Sequence, residues 1–302
     1  MISQLALENN PPNTALSPIF ARHETFHPRF GWLKKGFDAV CCNPNIFLAD
    51  DAHIQLGVGK NMAKSIRYWC RAFKLIDDNG ITAFGKQLLD EDGFDPYLED
   101  PASLWLLHWQ LLKPPYWATA WYFVFFLFRK NEFKVDESLL SDLKIYSEQT
   151  FGSRIAESSL KKDAACLVRM YLSQRDKDSL NEDNLDCPFA ELGLMTEVGS
   201  NLVFNIGQKP SLPPEIIVAS CLDFANLVSP TTQTISLNRL LYEVGSPGMA
   251  FKITASVLCD AIEQVARQES AISLAESANI LQMSFRENSA QLSQKLISRY
   301  YD

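Results

Sequence analysis

In the stretch GVGKNMAKSIRYWCRAFKLI, residues 57 to 76, apolar side chains recur at Met62, Ile66, Trp69, Phe73 and Ile76, in steps of four, three, four and three. That spacing keeps one face of an α-helix apolar. Lys60, Lys64, Arg67, Arg71 and Lys74 follow the same rhythm. At about 100° per residue, most of them fall ~140–160° around the helix from the apolar stripe. No acid lies between Lys60 and Ile76. Surface helices gain from mixed pairs of opposite sign, so a uniformly positive face predicts an anionic partner, and DNA in particular.

The flanking pattern predicts a small DNA-binding module. FLADDAHIQLG reads as a short helix ending at Gly57, and Gly57-Val58-Gly59 as a tight turn. After the basic helix come the turn DDNG and ITAFGKQLL, read as a short apolar strand. Helix, glycine turn, basic helix and wing is the order of a winged helix-turn-helix. Further on, LWLLHWQLLKPPYWATAWYFVFFLF (104 to 128) is apolar throughout but cut by Lys113, Pro114 and Pro115. Neither piece reaches the ~20 residues of a membrane span, so two buried helices and no membrane are expected. Asp100 as N-cap and Pro101 as first helical residue mark the start. The carboxylates Asp95, Glu99 and Asp100 then belong to that helix start rather than to a metal cluster.

A helix is predicted from about 153 to 173, followed by the charged connector QRDKDSLNEDNLD. NLVFNIGQKPSLPPE reads as a strand running into a proline-rich boundary. ISLNRLLYEVGSPGMAFKITASVLCDAIEQVARQ repeats helix, glycine-rich turn, helix, but its second helix mixes Asp260 and Glu263 with Arg267. It suits packing or partner binding. The expected fold is mainly α with small β wings: a winged helix-turn-helix module at 16–130, a helical middle at 131–210 and a helix-turn-helix-like module at 211–302.

Net charge sharpens the picture. The 302 residues carry −8 overall, with 21% charged and 47% hydrophobic residues, a soluble globular composition. Between Arg22 and Lys74, nine basic and four acidic residues give +5, so the positive charge has a location. The seven cysteines are scattered, with a vicinal pair at Cys41-Cys42 and no C-x-x-C. With no signal peptide, this predicts free thiols and a cytoplasmic location. GVGK is not a phosphate loop of the Walker type, which requires Gly at 54 and Ser or Thr at 61 where this chain has Ile54 and Asn61. The amides at this helix start, with Lys60 and Asn61, can still meet a DNA phosphate.

HETFH, residues 23 to 27, matches the zinc-hydrolase pattern H-E-x-x-H. A zinc site of that kind needs both histidines on one helical face. Pro28 pushes His27 toward extended backbone, Thr25 and Phe26 favour strands, and His53 and His108 offer no third ligand at a recognisable spacing. No zinc is expected. Arg22, Arg29, Lys34 and Lys35 flank the segment, a cationic rim suited to a phosphodiester and its charged transition state. His23, Glu24 and His27 are therefore the catalytic candidates, with His23 as general base or metal ligand and Glu24 as metal holder or orienter. Asp50 and Asp51 lie near enough in sequence to assist. The candidate DNA contacts are Arg22, Arg29, Lys34, Lys35, Lys60, Asn61, Lys64, Arg67, Arg71 and Lys74.

FARHETFHPRFGWLKKGFDAV, LGVGKNMAKSIRYWCRAFKLI, DPYLEDPASLWLLHWQLL and PFAELGLM together resemble a prokaryotic family catalogued as a domain of unknown function, encoded beside sulfur-transfer genes in DNA phosphorothioation islands. The likeness spans most of the chain and is strongest over 20–128. It implies DNA as substrate, a backbone nick that opens a site for sulfur, and sulfur-transfer and ATPase proteins of the same system as partners. Nicking would imply a divalent cation, Mg or Mn, whose ligands the sequence does not identify. A non-catalytic, transcription-regulator-like DNA adaptor that recruits those partners is the other reading.

Overall fold

In a computed structural model, residues 18–152, 155–172, 187–277 and 279–302 are described. They are mainly helical, with three small antiparallel sheets. The connector QRDKDSLNEDNLD and the start of the helix expected from 153 lie largely outside the described residues.

Two compact units form. One comprises Ala15–Val124 and Phe128–Phe204; the other comprises Phe125–Leu127 and Asn205–Asp302. In the first, α1 (Trp32–Cys42), a 3₁₀ turn (Ile46–Leu48) and α2 (Ala52–Gln55) lead to α3 (Lys60–Ala72), the basic helix of the sequence pattern. Gly57 ends α2 with φ +65°, a left-handed conformation open to glycine without a Cβ penalty. The predicted stripe is the buried face: Ile66, Trp69 and Phe73 are inaccessible and Ile76 nearly so. Gly36 lets α1 close on α3, since a Cβ there would stand 2.5 Å from Cys70 Sγ and 2.7 Å from Ile66 Cγ2.

The wing is shorter than the sequence suggests. Strands β1 (Ile76–Asp77) and β2 (Gly80–Ile81) pair antiparallel around the DDNG turn. The rest of ITAFGKQLL is not a strand but helix α4 (Ala83–Leu89). Thr82 caps it, its hydroxyl accepting from Gly85 N, and that cap outweighs the apolar look of the segment.

Helix α5 (Pro101–Leu112) starts as predicted, with Asp100 Oδ1 accepting from Ala102 N at 2.8 Å. Every residue from Ala102 to Leu112 is buried, which accounts for its all-round hydrophobicity. After the Pro-Pro turn come α6 (Thr119–Tyr122) and a π turn (Phe123–Leu127), whose last three residues are counted with the other unit. Among the described residues no helix is long and apolar enough to cross a membrane. Strand β3 (Glu132–Phe133), α7 (Leu140–Phe151), α8 (Glu157–Tyr171), β4 (Met195–Val198) and β5 (Asn201–Phe204) complete this unit, with sheet order β3–β5–β4. Its core is aromatic: Trp69, Trp105, Trp109 and Trp121 are fully buried, and Phe73 stacks on Phe189 at 5.0 Å.

In the other unit the proline-rich run becomes a helix start, with Pro214 opening α9 (Pro214–Val228). Then follow β6 (Thr234–Ser236), α10 (Leu237–Tyr242), α11 (Pro247–Phe251), α12 (Ala255–Ala266), β7 (Ile272–Ser277), β8 (Ile280–Phe285) and α13 (Ser289–Tyr301). The sheet order is β6–β8–β7, antiparallel throughout. The serine hydroxyls of Ser236 and Ser246 cap α10 and α11.

Candidate functional site

HETFH folds as a turn, not a helix. Ala21, Glu24 and Thr25 all have positive φ, at 54°, 50° and 73°. A left-handed conformation costs a non-glycine residue roughly 1–2 kcal/mol, so outside contacts must hold it. Asp163, on α8, supplies two: its Oδ1 accepts from Ala21 N at 2.8 Å and lies 2.6 Å from His23 Nε2. Thr25 N donates to His23 Nδ1 at 3.1 Å. Because Nδ1 is an acceptor, Nε2 carries the proton and donates to Asp163. Trp69 Nε1 donates to Phe26 O at 3.0 Å, and Arg169 Nη2 to Thr25 O at 2.8 Å. Burial raises the Asp163 carboxyl above its ordinary value, against the opposing pull of His23 and the Ala21 amide.

The turn sorts its side chains by direction. His23 is inaccessible and stacks on Trp69 at 6.0 Å; His27 is also buried. Arg22 and Glu24 line a cavity of about 820 Å³, joined from α3 by Lys60, Lys64, Arg67 and Arg71. Phe47, Leu48, Asp50, His53, Tyr68 and Trp117 complete much of its wall. Five cations from the sequence prediction thus share one concave surface with one of the three catalytic candidates. The titratable groups of opposite or neutral character on that surface are Glu24, Asp50, His53 and Tyr68.

The positive face is partly compensated from outside the helix. Glu24 Oε1 is 3.6 Å from Lys64 Nζ, an exposed pair contributing little. Arg71 Nη2 bonds Asp78 Oδ1 at 2.6 Å, and its guanidinium lies 4.5 Å from the Trp117 ring centre. Among the described residues, Arg22, Lys60 and Arg67 have no ion-pair partner. Lys60 opens the helix, where the macrodipole is positive and an added cation is unfavourable. An anion at that end would relieve both charges.

The remaining basic candidates do not line this cavity. Lys34 Nζ donates to Asp38 Oδ1 and Leu89 O, and Lys35 Nζ to Leu56 O. Lys74 Nζ bonds Gln110 O and, at 2.8 Å, Lys113 O. Arg29 packs 5.4 Å from the Trp32 ring centre. Asn61 is exposed in the first turn of α3. Charge counting could not separate these tethers from the cavity cations, nor could it find Phe47, Leu48 and Trp117, which carry no charge. Asp163 was equally invisible, 140 residues from His23.

Among the described residues no three His, Cys, Asp or Glu side chains converge to hold a metal ion. Asp95 is instead saturated by the chain: its carboxylate accepts from Glu99 N, Asp100 N and Ser103 Oγ at 2.9, 2.9 and 2.6 Å.

The family described as "Protein of unknown function (DUF4007)" matches residues 20–301. Among solved structures, an SspB crystal structure is 41% identical with a TM-score of 0.87, over 95% of this chain and 89% of that one. A magnesium ion-bound SspB crystal structure is 40% identical, again with a TM-score of 0.87, over 96% and 91% of the two chains. No curated protein matches. The resemblance carried by HETFH, the basic helix and the tryptophan-rich helix therefore extends over nearly the whole described chain, which belongs to the DUF4007 family.

Proposed function

We propose that this protein is the DNA-contacting component of a DNA phosphorothioation system, and that it nicks the backbone so that sulfur can enter. The observation that carries this reading is the cavity into which Arg22, Lys60, Lys64, Arg67 and Arg71 converge. An ordinary solvated helix face has no reason to face a hollow with three cations left without acids. Phosphate groups would neutralise them, and the N-terminal amides of α3 add to the attraction. The likeness to SspB and the family's association with phosphorothioation islands supply the system, with sulfur-transfer and ATPase proteins as partners.

For the nick, the groups in reach of a substrate in this cavity are Glu24, Asp50 and His53, while His23 positions the turn from inside. Mg²⁺ commonly takes one or two carboxylates and completes its shell with substrate phosphates and water. Glu24 and Asp50 are the carboxylates that would hold such an ion, and it would supply charge neutralisation at the phosphate.

The winged helix-turn-helix reading of 16–130 is supported by the α2–turn–α3 order and the β1–β2 hairpin. The helix-turn-helix-like reading of 211–302 is supported by the order α9–β6–α10–α11–α12–β7–β8 with sheet order β6–β8–β7. There α12 exposes Asp260 and Glu263, which suits a protein partner better than DNA.

The test is supercoiled plasmid incubated with purified protein, with and without Mg²⁺ or Mn²⁺, beside a salt titration of DNA affinity. Conversion to open circles supports nicking. Binding without conversion favours the adaptor reading. The Lys60→Ala/Lys64→Ala/Arg67→Ala protein should bind more weakly, its log–log salt slope reduced by roughly 0.9 for each lost phosphate contact on duplex DNA. A folded triple variant with unchanged affinity and slope would remove the DNA reading.

A further inference from the structure

The cavity has two unlike walls. One is α3 with its cations; the other is mainly apolar, with Phe47, Leu48, Ala49 and Ala52 beside Asp50 and His53. Phe47 is half-buried, and Leu48 stands 70% exposed beside it. Contacts to the phosphates of a duplex need cations and hydrogen-bond donors alone, because the faces of paired bases are covered by their neighbours in the stack. A mainly apolar lining beside a cationic one suits a strand whose bases are uncovered: phosphates run along the cations and bases lie against the aromatic and aliphatic side chains. The size agrees. About 820 Å³ lies within the roughly 300–1,000 Å³ of pockets that enclose small ligands, room for one or two nucleotides.

We infer that the cavity receives unpaired nucleotides, with bases against the Phe47–Leu48 turn and phosphates along the Lys60–Arg71 face of α3. This rests on the DNA reading above and narrows it: the protein engages a locally opened or single strand rather than an intact duplex. Trp117 is the less available platform, since Arg71 already covers one of its faces. The base contact falls to the 3₁₀ turn, whose Ile46 is buried while Leu48 reaches outward.

The experiment uses the full chain and three fluorescein-labelled probes: a short oligo-dT strand, a duplex of equal length, and that duplex with a central unpaired bulge. Anisotropy should rank the single strand and the bulge above the duplex. Leu48→Glu and Phe47→Leu should each lower the ratio of single-strand to duplex affinity at least about fivefold, the scale of one lost base contact. Circular dichroism and melting verify that both variants fold; Leu48 is exposed enough that its variant tests the idea even if Phe47→Leu is impaired. A duplex bound as tightly as the single strand, with a ratio unmoved by Leu48→Glu, overturns this inference and leaves the DNA reading standing. Failure of all three probes to bind at low salt overturns both.

Discussion

His23 Nε2 donates to Asp163 Oδ1 at 2.6 Å, and the same oxygen accepts the Ala21 amide. One carboxylate therefore fixes both the backbone and the ring of a turn whose φ angles are unfavourable. Asp163→Ala would leave one buried and one half-buried donor without that partner, at about 1–3 kcal/mol each at most. The expected result is a loss of roughly 2–5 kcal/mol in urea unfolding, together with weakened DNA affinity as Arg22 and Glu24 lose their placement. Asp163→Asn keeps an acceptor and should cost less. Equal stability of Asp163→Ala and the parent would refute the anchoring role.

The same group has a pH signature. Burial raises its folded-state pKa, so the folded chain holds this proton more readily than the unfolded one. The part of its stability linked to this proton is complete below the ordinary aspartate range and is lost as pH rises through the raised value, while the bonds from Ala21 N and His23 Nε2 persist to the carboxylate. Subtracting the Asp163→Asn stability curve from the parent curve isolates it. The difference should fall with rising pH; a difference that rises would reverse the assignment.

Trp69 is inaccessible, stacks on Phe73 at 5.6 Å and donates to Phe26 O. Trp69→Ala should cost about 3–5 kcal/mol from cavity formation. A variant that melts like the parent but no longer binds DNA would mean that this indole contacts the ligand and is not core.

Asp95 holds three donors at the start of α5. Asp95→Ala is expected to lower stability by about 2–4 kcal/mol, since bonds to a charged acceptor are worth more than neutral ones. Thermal melts with and without Mg²⁺ should shift equally for the variant and the parent. A Mg²⁺-dependent stabilisation that disappears with Asp95 would make this carboxylate a metal ligand after all.

Cys41 and Cys42 end α1 and are exposed, whereas Cys70, Cys166, Cys187 and Cys221 are buried. Burial pushes the Cys70 thiol up to about 12. Partial burial, then Asp38 and Asp90, also hold Cys41 above the usual thiol value. Thiolate is the reactive form. In Cys42→Ser protein, iodoacetamide should therefore label Cys41 more slowly at pH 8 than an unstructured cysteine peptide, and its rate should climb over a higher pH range. Mass spectrometry reads both. Rates matching the peptide would show that neither the partial burial nor the neighbouring carboxylates hold the thiol up.

What the sequence made legible was periodic or local. The stripe from Met62 to Ile76 located α3 and its buried face, Asp100-Pro101 marked the start of α5, and Pro28 ruled out a helical HETFH. The strand expected in ITAFGKQLL became α4 because one hydroxyl, Thr82 Oγ1, organises the following turn, a contact that hydrophobic pattern does not encode. The site was half legible. Four cavity cations, Lys60, Lys64, Arg67 and Arg71, follow from helical spacing and the fifth, Arg22, from the flank of HETFH, but Lys34, Lys35 and Lys74 look identical in sequence and end on backbone carbonyls. His23 looked chemically available, and only a carboxylate from α8 explains why it turns inward.

The position of that carboxylate has a practical consequence for dissecting the protein. A recombinant fragment ending at residue 130 would contain every cavity side chain named above, yet it would lack Asp163 and Arg169, which grip the Ala21–Thr25 backbone. Such a fragment would retain the cations of α3 while losing the fixed direction of Arg22 and Glu24. Weak DNA retention by the isolated piece would then report a missing clamp, not a missing ligand site, and adding α8 back is the repair.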